Sequence, residues 1–169
     1  LVHAAASHRG GEWIPYHALT VHCAVRPAEV ARIAWEDVDL EAGTVSITGR
    51  AAKLRARRIV PIPDAAAAWL APHAARRTPL CPPGTTKNLR KIRDAAGLMP
   101  WPPDAPRHTC ISAWLAMHGE ADAASWAGNS PDVCHRFYKG LMNSKTAKAF
   151  FEIRPDAENV ANFNREQSA

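Results

Sequence analysis

The chain has 169 residues, 47% of them hydrophobic, and 21 Lys and Arg against 16 Asp and Glu give a formal net charge of +5. That length and apolar content describe one globular domain with its own core and exclude a disordered chain. The modest basic excess admits a nucleic-acid partner without requiring one, and no apolar run approaches the ~20 residues of a membrane span.

Leu1 rather than Met opens the chain, and "LVHAAASHRGGEW" has no basic start followed by a long apolar run. It therefore reads as part of a longer protein, without a secretory signal. Residues 1–24 are expected to be helical, with a break at Gly10-Gly11. Pro27 suits the first turn of a further helix, "PAEVARIA". In "WEDVDLEAGTVSITG" the period changes. Val38 and Leu40, then Val45 and Ile47, alternate around a turn at Ala42-Gly43, the pattern of a hairpin. "RRIVPIP" supplies a third short strand. Between strands two and three, Arg50, Lys53, Arg55, Arg57 and Arg58 put five cations in nine residues.

"DAAAAWLAPHAA" predicts a helix capped by Asp64, and residues 77–84 a proline-rich connection. "TTKNLRKIRDAAG" predicts a basic helix ending at Gly97. The prolines of "LMPWPPDAP" forbid a helix through them. Helices follow at 107–118, about 120–127, 131–141 and 145–152, then a loosely ordered tail from Pro155. Trp35, Trp69 and Trp114 are assigned to the core. The sum is an α+β fold, mostly α-helical with a small three-stranded antiparallel sheet.

Cys23, Cys81, Cys110 and Cys134 form no C-x-x-C pair, so no metal site is expected. A reduced, cytoplasmic setting is the default for scattered cysteines.

Tyr138, one of only two tyrosines, stands in "DVCHRFYKG" among His135, Arg136, Phe137 and Lys139. It is either a packing residue or a nucleophile aimed at something negative. Arg26, Lys53 and Arg107 complete a set suited to phosphodiester chemistry. Arginine offers a planar, permanently charged fork to phosphate oxygens. Two forks neutralise the charge that develops on five-coordinate phosphorus. A lysine protonates a leaving alkoxide, and a tyrosine hydroxyl attacks phosphorus. Taken singly, Arg26 can instead pair with Glu29, and the cations around Lys53 can form a merely solvated basic loop.

Order and flanks sharpen the choice. "VRPAEVARIAWEDVDLEAGTVSI", "KLRARRIVPIP", "PRHTCISAWLAMHG" and "AGNSPDVCHRFYKGL" resemble, in sequence order, the catalytic domain of tyrosine recombinases, the phage-integrase family. The strongest block joins Arg26, Glu29 and "WEDVD"; "WPPDAPRHT" resembles a bacterial integrase branch. The resemblance implies a tyrosine-recombinase catalytic domain over 1–154, the tail at 155–169, and a DNA-clamping domain N-terminal to this chain. It implies Arg26 and Arg107 as catalytic arginines, Lys53 as donor to the leaving 5′ oxygen, and Tyr138 as the nucleophile forming a 3′-phosphotyrosine. No metal or cofactor is implied. Double-stranded DNA is the implied partner, with Arg50, Arg55, Arg57 and Arg58 on its backbone. "SKTAKAFFEI" resembles the helix such proteins exchange between protomers, which implies self-association on DNA as a tetrameric synapse. The implied setting is the bacterial cytoplasm, at the nucleoid.

Two positions depart from the family pattern. The H-x-x-R box reads Asp104-Ala105-Pro106-Arg107, and the later G-H reads Gly128-Asn129. A tyrosine with an ordinary pKa near 10 needs a proton acceptor at neutral pH. Asp104 either caps the Arg107 helix, orients Arg107, or accepts that proton. At about 6 Å and an effective dielectric of about 20 it would repel a phosphate by ~3 kcal/mol. Asn129 can donate one neutral hydrogen bond. His135, three residues before Tyr138, and His108, beside Arg107, are accessory histidines. The expectation is site-specific DNA cleavage and rejoining; the alternative is an impaired integrase acting as a DNA-binding module.

Overall fold

A computed structural model describes residues 1–48 and 57–156. Lys53, Arg50 and Arg55 lie outside the described residues, as does the tail beyond 156.

The helices in chain order are α1 (Val2–Ala6), α2 (Ile14–His22), α3 (Pro27–Val30), α4 (Asp64–Ala74), α5 (Thr85–Ala95), α6 (Ala105–His118), α7 (Glu120–Ala127), α8 (Pro131–Tyr138) and α9 (Ser144–Phe151). The sheet is β1 (Val38–Asp39), β2 (Thr44–Ile47) and β3 (Arg58–Pro61), in that spatial order and antiparallel throughout. Val45 sits opposite both Val38 and Val60, and Ile47 opposite Arg58. Alternation then decides the faces: Val45, Ile47 and Val60 are buried, while Thr44 and Ser46 face outward.

All nine residues of α2 are buried, as expected of a helix at the centre of a helical core rather than on its surface. It carries His17, Thr20 and His22 inward with Leu19 and Val21. α6 packs against it and buries Cys110, Ile111 and Trp114. α5 is the amphipathic case: Leu89 and Ile92 point in, and Lys87, Arg90 and Lys91 lie on the outer side, while half-buried Arg93 sits over the Trp101 ring. Trp69 ties α4 to the far end of the chain, its indole N–H donating to the Ile153 carbonyl at 3.0 Å. α9 packs on its own α6, where Ser144 Oγ donates to the Ala116 carbonyl at 3.1 Å and Ala147 is buried.

Three local expectations are corrected. "PAEVARIA" is helical only over Pro27–Val30, because the chain turns extended at Ala34 to deliver Trp35 to the core. Its indole N–H is satisfied there by the Thr78 carbonyl at 2.8 Å. Asp64 is the first helical residue of α4, not its cap; Pro63 holds that position. α8 ends at Tyr138, short of 141, and Gly140 follows at φ +77.

Candidate active site

Arg26 immediately precedes α3 in an extended conformation, and Pro27 fixes the helical entry after it. Its main-chain N–H donates to Glu29 Oε2 at 3.0 Å and its Nη1 to Glu29 Oε1 at 3.2 Å. Pairing with Glu29 therefore occurs, and it leaves the other end of the guanidinium free for Asn129 Oδ1, at 3.3 Å from Nη2.

Arg107 arrives from the first turn of α6 and is 6% exposed. Its Nη1 donates to the Ala24 carbonyl and its Nη2 to the Ala127 carbonyl. The same Nη2 lies 3.4 Å from Asn129 Oδ1. One amide oxygen thus joins two guanidinium groups from opposite halves of the chain.

The counter-ion is Glu29, 1% exposed. Arg58 grips it bidentately, Nη1 to Oε1 at 3.0 Å and Nη2 to Oε2 at 2.7 Å, and sends Nε to the Trp126 carbonyl at 3.1 Å. The Arg58 stem passes so close to Gly128, at φ +62, that a Cβ there would lie 3.0 Å from Arg58 Cδ. Two guanidinium groups therefore share one carboxylate. Burial alone would push the Glu29 carboxyl up. The Arg58 hydrogen bonds, the Arg26 N–H and both cationic charges outweigh it and hold the carboxyl below its usual range. Arg107 is pushed down to about 10 by burial first, then by Arg26 and Arg58. It stays charged at neutral pH.

Tyr138, at the end of α8, is 7% exposed and lies within electrostatic reach of Arg107. Its ring centre is 5.0 Å from that of His108, with the planes tilted by 42°. Its hydroxyl makes no hydrogen bond among the described residues. The helix beneath it is capped by Ser130, which accepts from the Val133 N–H at 3.3 Å.

The other singled-out positions separate. His135 is at the surface, 2.9 Å from Glu120 Oε1 and 3.3 Å from Lys139 Nζ. Asp104 precedes α6 at φ +52, exposed, and its side chain makes no cap bond, so the capping expectation is not met. It lines a separate cavity of about 120 Å³ together with Arg107, His17 and Arg93. Arg57 lines a wide groove of about 1040 Å³ between the sheet and α7, which also takes in Arg26, Thr44, Ser46 and Asn129. Such a groove, cationic at one wall and hydroxyl-bearing at the other, is suited to a polyanion.

Arg58 is the residue that sequence reasoning placed differently. The sequence reading puts it with the cations on the DNA backbone; in the free protein its guanidinium is committed to Glu29 and the Trp126 carbonyl. The signal was available in the strand period: Arg58 and buried Val60 share a face, while Ile59 between them is 64% exposed.

The sequence profile described as the phage integrase family matches residues 15–124. That span contains Arg26, Glu29, Arg58 and Arg107, and ends before Asn129 and Tyr138. No curated protein matches the sequence. Among solved structures, the chain is similar to an XerA recombinase, with a TM-score of 0.65 and 19% identity over 92% of this chain and 62% of that one. It is also similar to an integrase from mycobacterium phage Brujita, with a TM-score of 0.53 and 17% identity over 96% of this chain and 60% of that one. The chain thus spans less than two thirds of either protein, and at these identities the likeness is one of fold. With more than half of its length matched, and with a helical domain and small sheet of the tyrosine-recombinase catalytic type, this chain belongs to the phage integrase family.

Proposed function

We propose that this domain cleaves and rejoins double-stranded DNA at a specific site through a 3′-phosphotyrosine. The observation that carries the reading is the meeting of Arg26 and Arg107 on one acceptor oxygen, with Tyr138 within electrostatic reach of Arg107. Positive charge is fixed there before any ligand arrives, as stabilisation of a pentavalent phosphorane requires.

In this mechanism the Tyr138 oxygen bonds to the scissile phosphorus and the bond to O5′ breaks. Lys53 gives a proton to the departing O5′. The phenolic proton goes to His108, the imidazole packed beside it. Rejoining reverses each step: a 5′ hydroxyl attacks the phosphotyrosine and the phenol is regenerated. One phosphodiester is exchanged for another, so no further reactant is consumed. Arg57, Arg50 and Arg55 hold the DNA backbone. Arg58 could do so only by breaking its bidentate pair, and is better read as an internal brace. A DNA-clamping domain before Leu1, assembly of several copies on DNA, and action at the bacterial nucleoid complete the proposal.

The test is a nicked suicide duplex, which traps the covalent intermediate by losing the 5′ end. A DNA–protein adduct on a denaturing gel, absent in Tyr138→Phe, is the expected result. Asp104 and Asn129 in place of histidines favour a second reading, a DNA-binding module without chemistry. Bound duplex with no adduct would establish it instead.

A further inference from the structure

Arg26 and Arg107 converge on an acceptor that carries no charge. Both can only donate, so the amide of Asn129 must present its oxygen to them and keep its NH2 edge away. The two contacts, 3.3 and 3.4 Å, are long beside the ~2.8 Å of a strong charge-assisted hydrogen bond. Neither arginine depends on them. Arg107 is fixed by the Ala24 and Ala127 carbonyls, and Arg26 by two bonds to Glu29. Asn129 itself is anchored by its main chain, whose N–H donates to the Ala124 carbonyl at 3.0 Å. Its half-buried side chain lines the open groove, with room to turn.

A weakly held neutral oxygen between two well-anchored cations is an occupant rather than a brace. We propose that Asn129 is a placeholder for the substrate phosphate. In the free protein its amide oxygen fills the position between Arg26 and Arg107 that a non-bridging phosphate oxygen takes, and the incoming phosphate displaces it. The displaced amide turns out into the groove that it lines. This rests on the phosphodiester reading given above.

The test compares the unsubstituted chain with Asn129→Ala and Asn129→Asp, using inorganic phosphate as the probe and thermal shift as the readout. Removing the occupant spares the phosphate the two long hydrogen bonds it would have to displace, so Asn129→Ala is expected to bind phosphate about three- to tenfold more tightly. A carboxylate in the same place is a permanent counter-ion, and Asn129→Asp is expected to bind about tenfold more weakly or worse. Unchanged or weaker binding by Asn129→Ala overturns the proposal, because a brace, not an occupant, was removed.

A measurement on the unsubstituted chain guards against misfolded variants. The Asn129 side-chain NH2 resonance is expected to move during a phosphate titration, and one that stays fixed at saturation overturns the proposal. Arg26→Gln separates the two levels of the argument. Undiminished phosphate binding in Arg26→Gln means that these forks do not hold phosphate, and both readings fall. If Arg26→Gln loses the response while Asn129→Ala weakens it, the phosphate site stands and only the placeholder falls.

Discussion

In the arginine cluster each guanidinium is anchored by charge or by carbonyls: Arg107 by carbonyls of two separate segments, Arg58 by Glu29 and the Trp126 carbonyl, Arg26 by Glu29. Tyr138 is held only by packing, with its ring against His108 and its hydroxyl unbonded among the described residues. The contrast follows from charge. A buried cation left without partners costs several kcal/mol, so the arginines must be fully engaged before the domain is stable. A neutral phenol at a helix end carries no such demand. The charge of the site is therefore rigid, and the position of the nucleophile is the adjustable part.

The sharpest way to break this comparison is Arg107→Ala. It leaves two buried carbonyls without a donor and is expected to cost roughly 3 kcal/mol of unfolding free energy in urea titration, beyond any loss of cleavage. A loss under about 1 kcal/mol would mean that water replaces the guanidinium and that the cluster is not anchored.

Glu29→Gln comes next, at about 2 kcal/mol near pH 7, since Arg26 and Arg58 lose their shared counter-ion. Its sign with pH is fixed. The folded carboxyl titrates below its usual range, so its contribution is complete above the unfolded pKa of about 4.3 and fades as pH falls through the folded value. Urea midpoints of the two proteins are expected to converge in acid. Parallel curves would show that Glu29 acts by shape alone.

Tyr138→Phe is the smallest change in stability, under about 0.5 kcal/mol. A larger drop in Tm would reveal a partner for the hydroxyl and remove the distinction between the two regions.

Much of this fold was legible because its signals are local. The hairpin followed from alternation around Ala42-Gly43, and the start of α6 from the prolines before it. Arg26 and Arg107 were legible as a pair only through the resemblance; nothing in spacing brings the residue before α3 and one from α6 to one oxygen. Three things were hidden. Arg58 obeys the strand period, but a cation beside a basic loop was grouped with its neighbours in sequence. Asp104 sits where a cap belongs, yet its left-handed backbone carries the carboxylate away from the N–H groups it would cap. Which of the two accessory histidines meets the Tyr138 ring was hidden as well. A three-residue spacing favours His135, but α6 crosses α8 and supplies the closer ring.

The wholly buried α2 sets an acid limit on the domain. Burial pushes His17 down to about 3 and His22 to about 4, and neither ring has a hydrogen-bond partner among the described residues. The unfolded chain takes up a proton on each near pH 6.5, whereas the folded one resists until far lower. Between those values each histidine withdraws about 1.4 kcal/mol of stability per pH unit as the medium acidifies. Calorimetry is expected to show protons absorbed on unfolding at pH 5 and not at pH 8, with His22→Leu absorbing about one fewer.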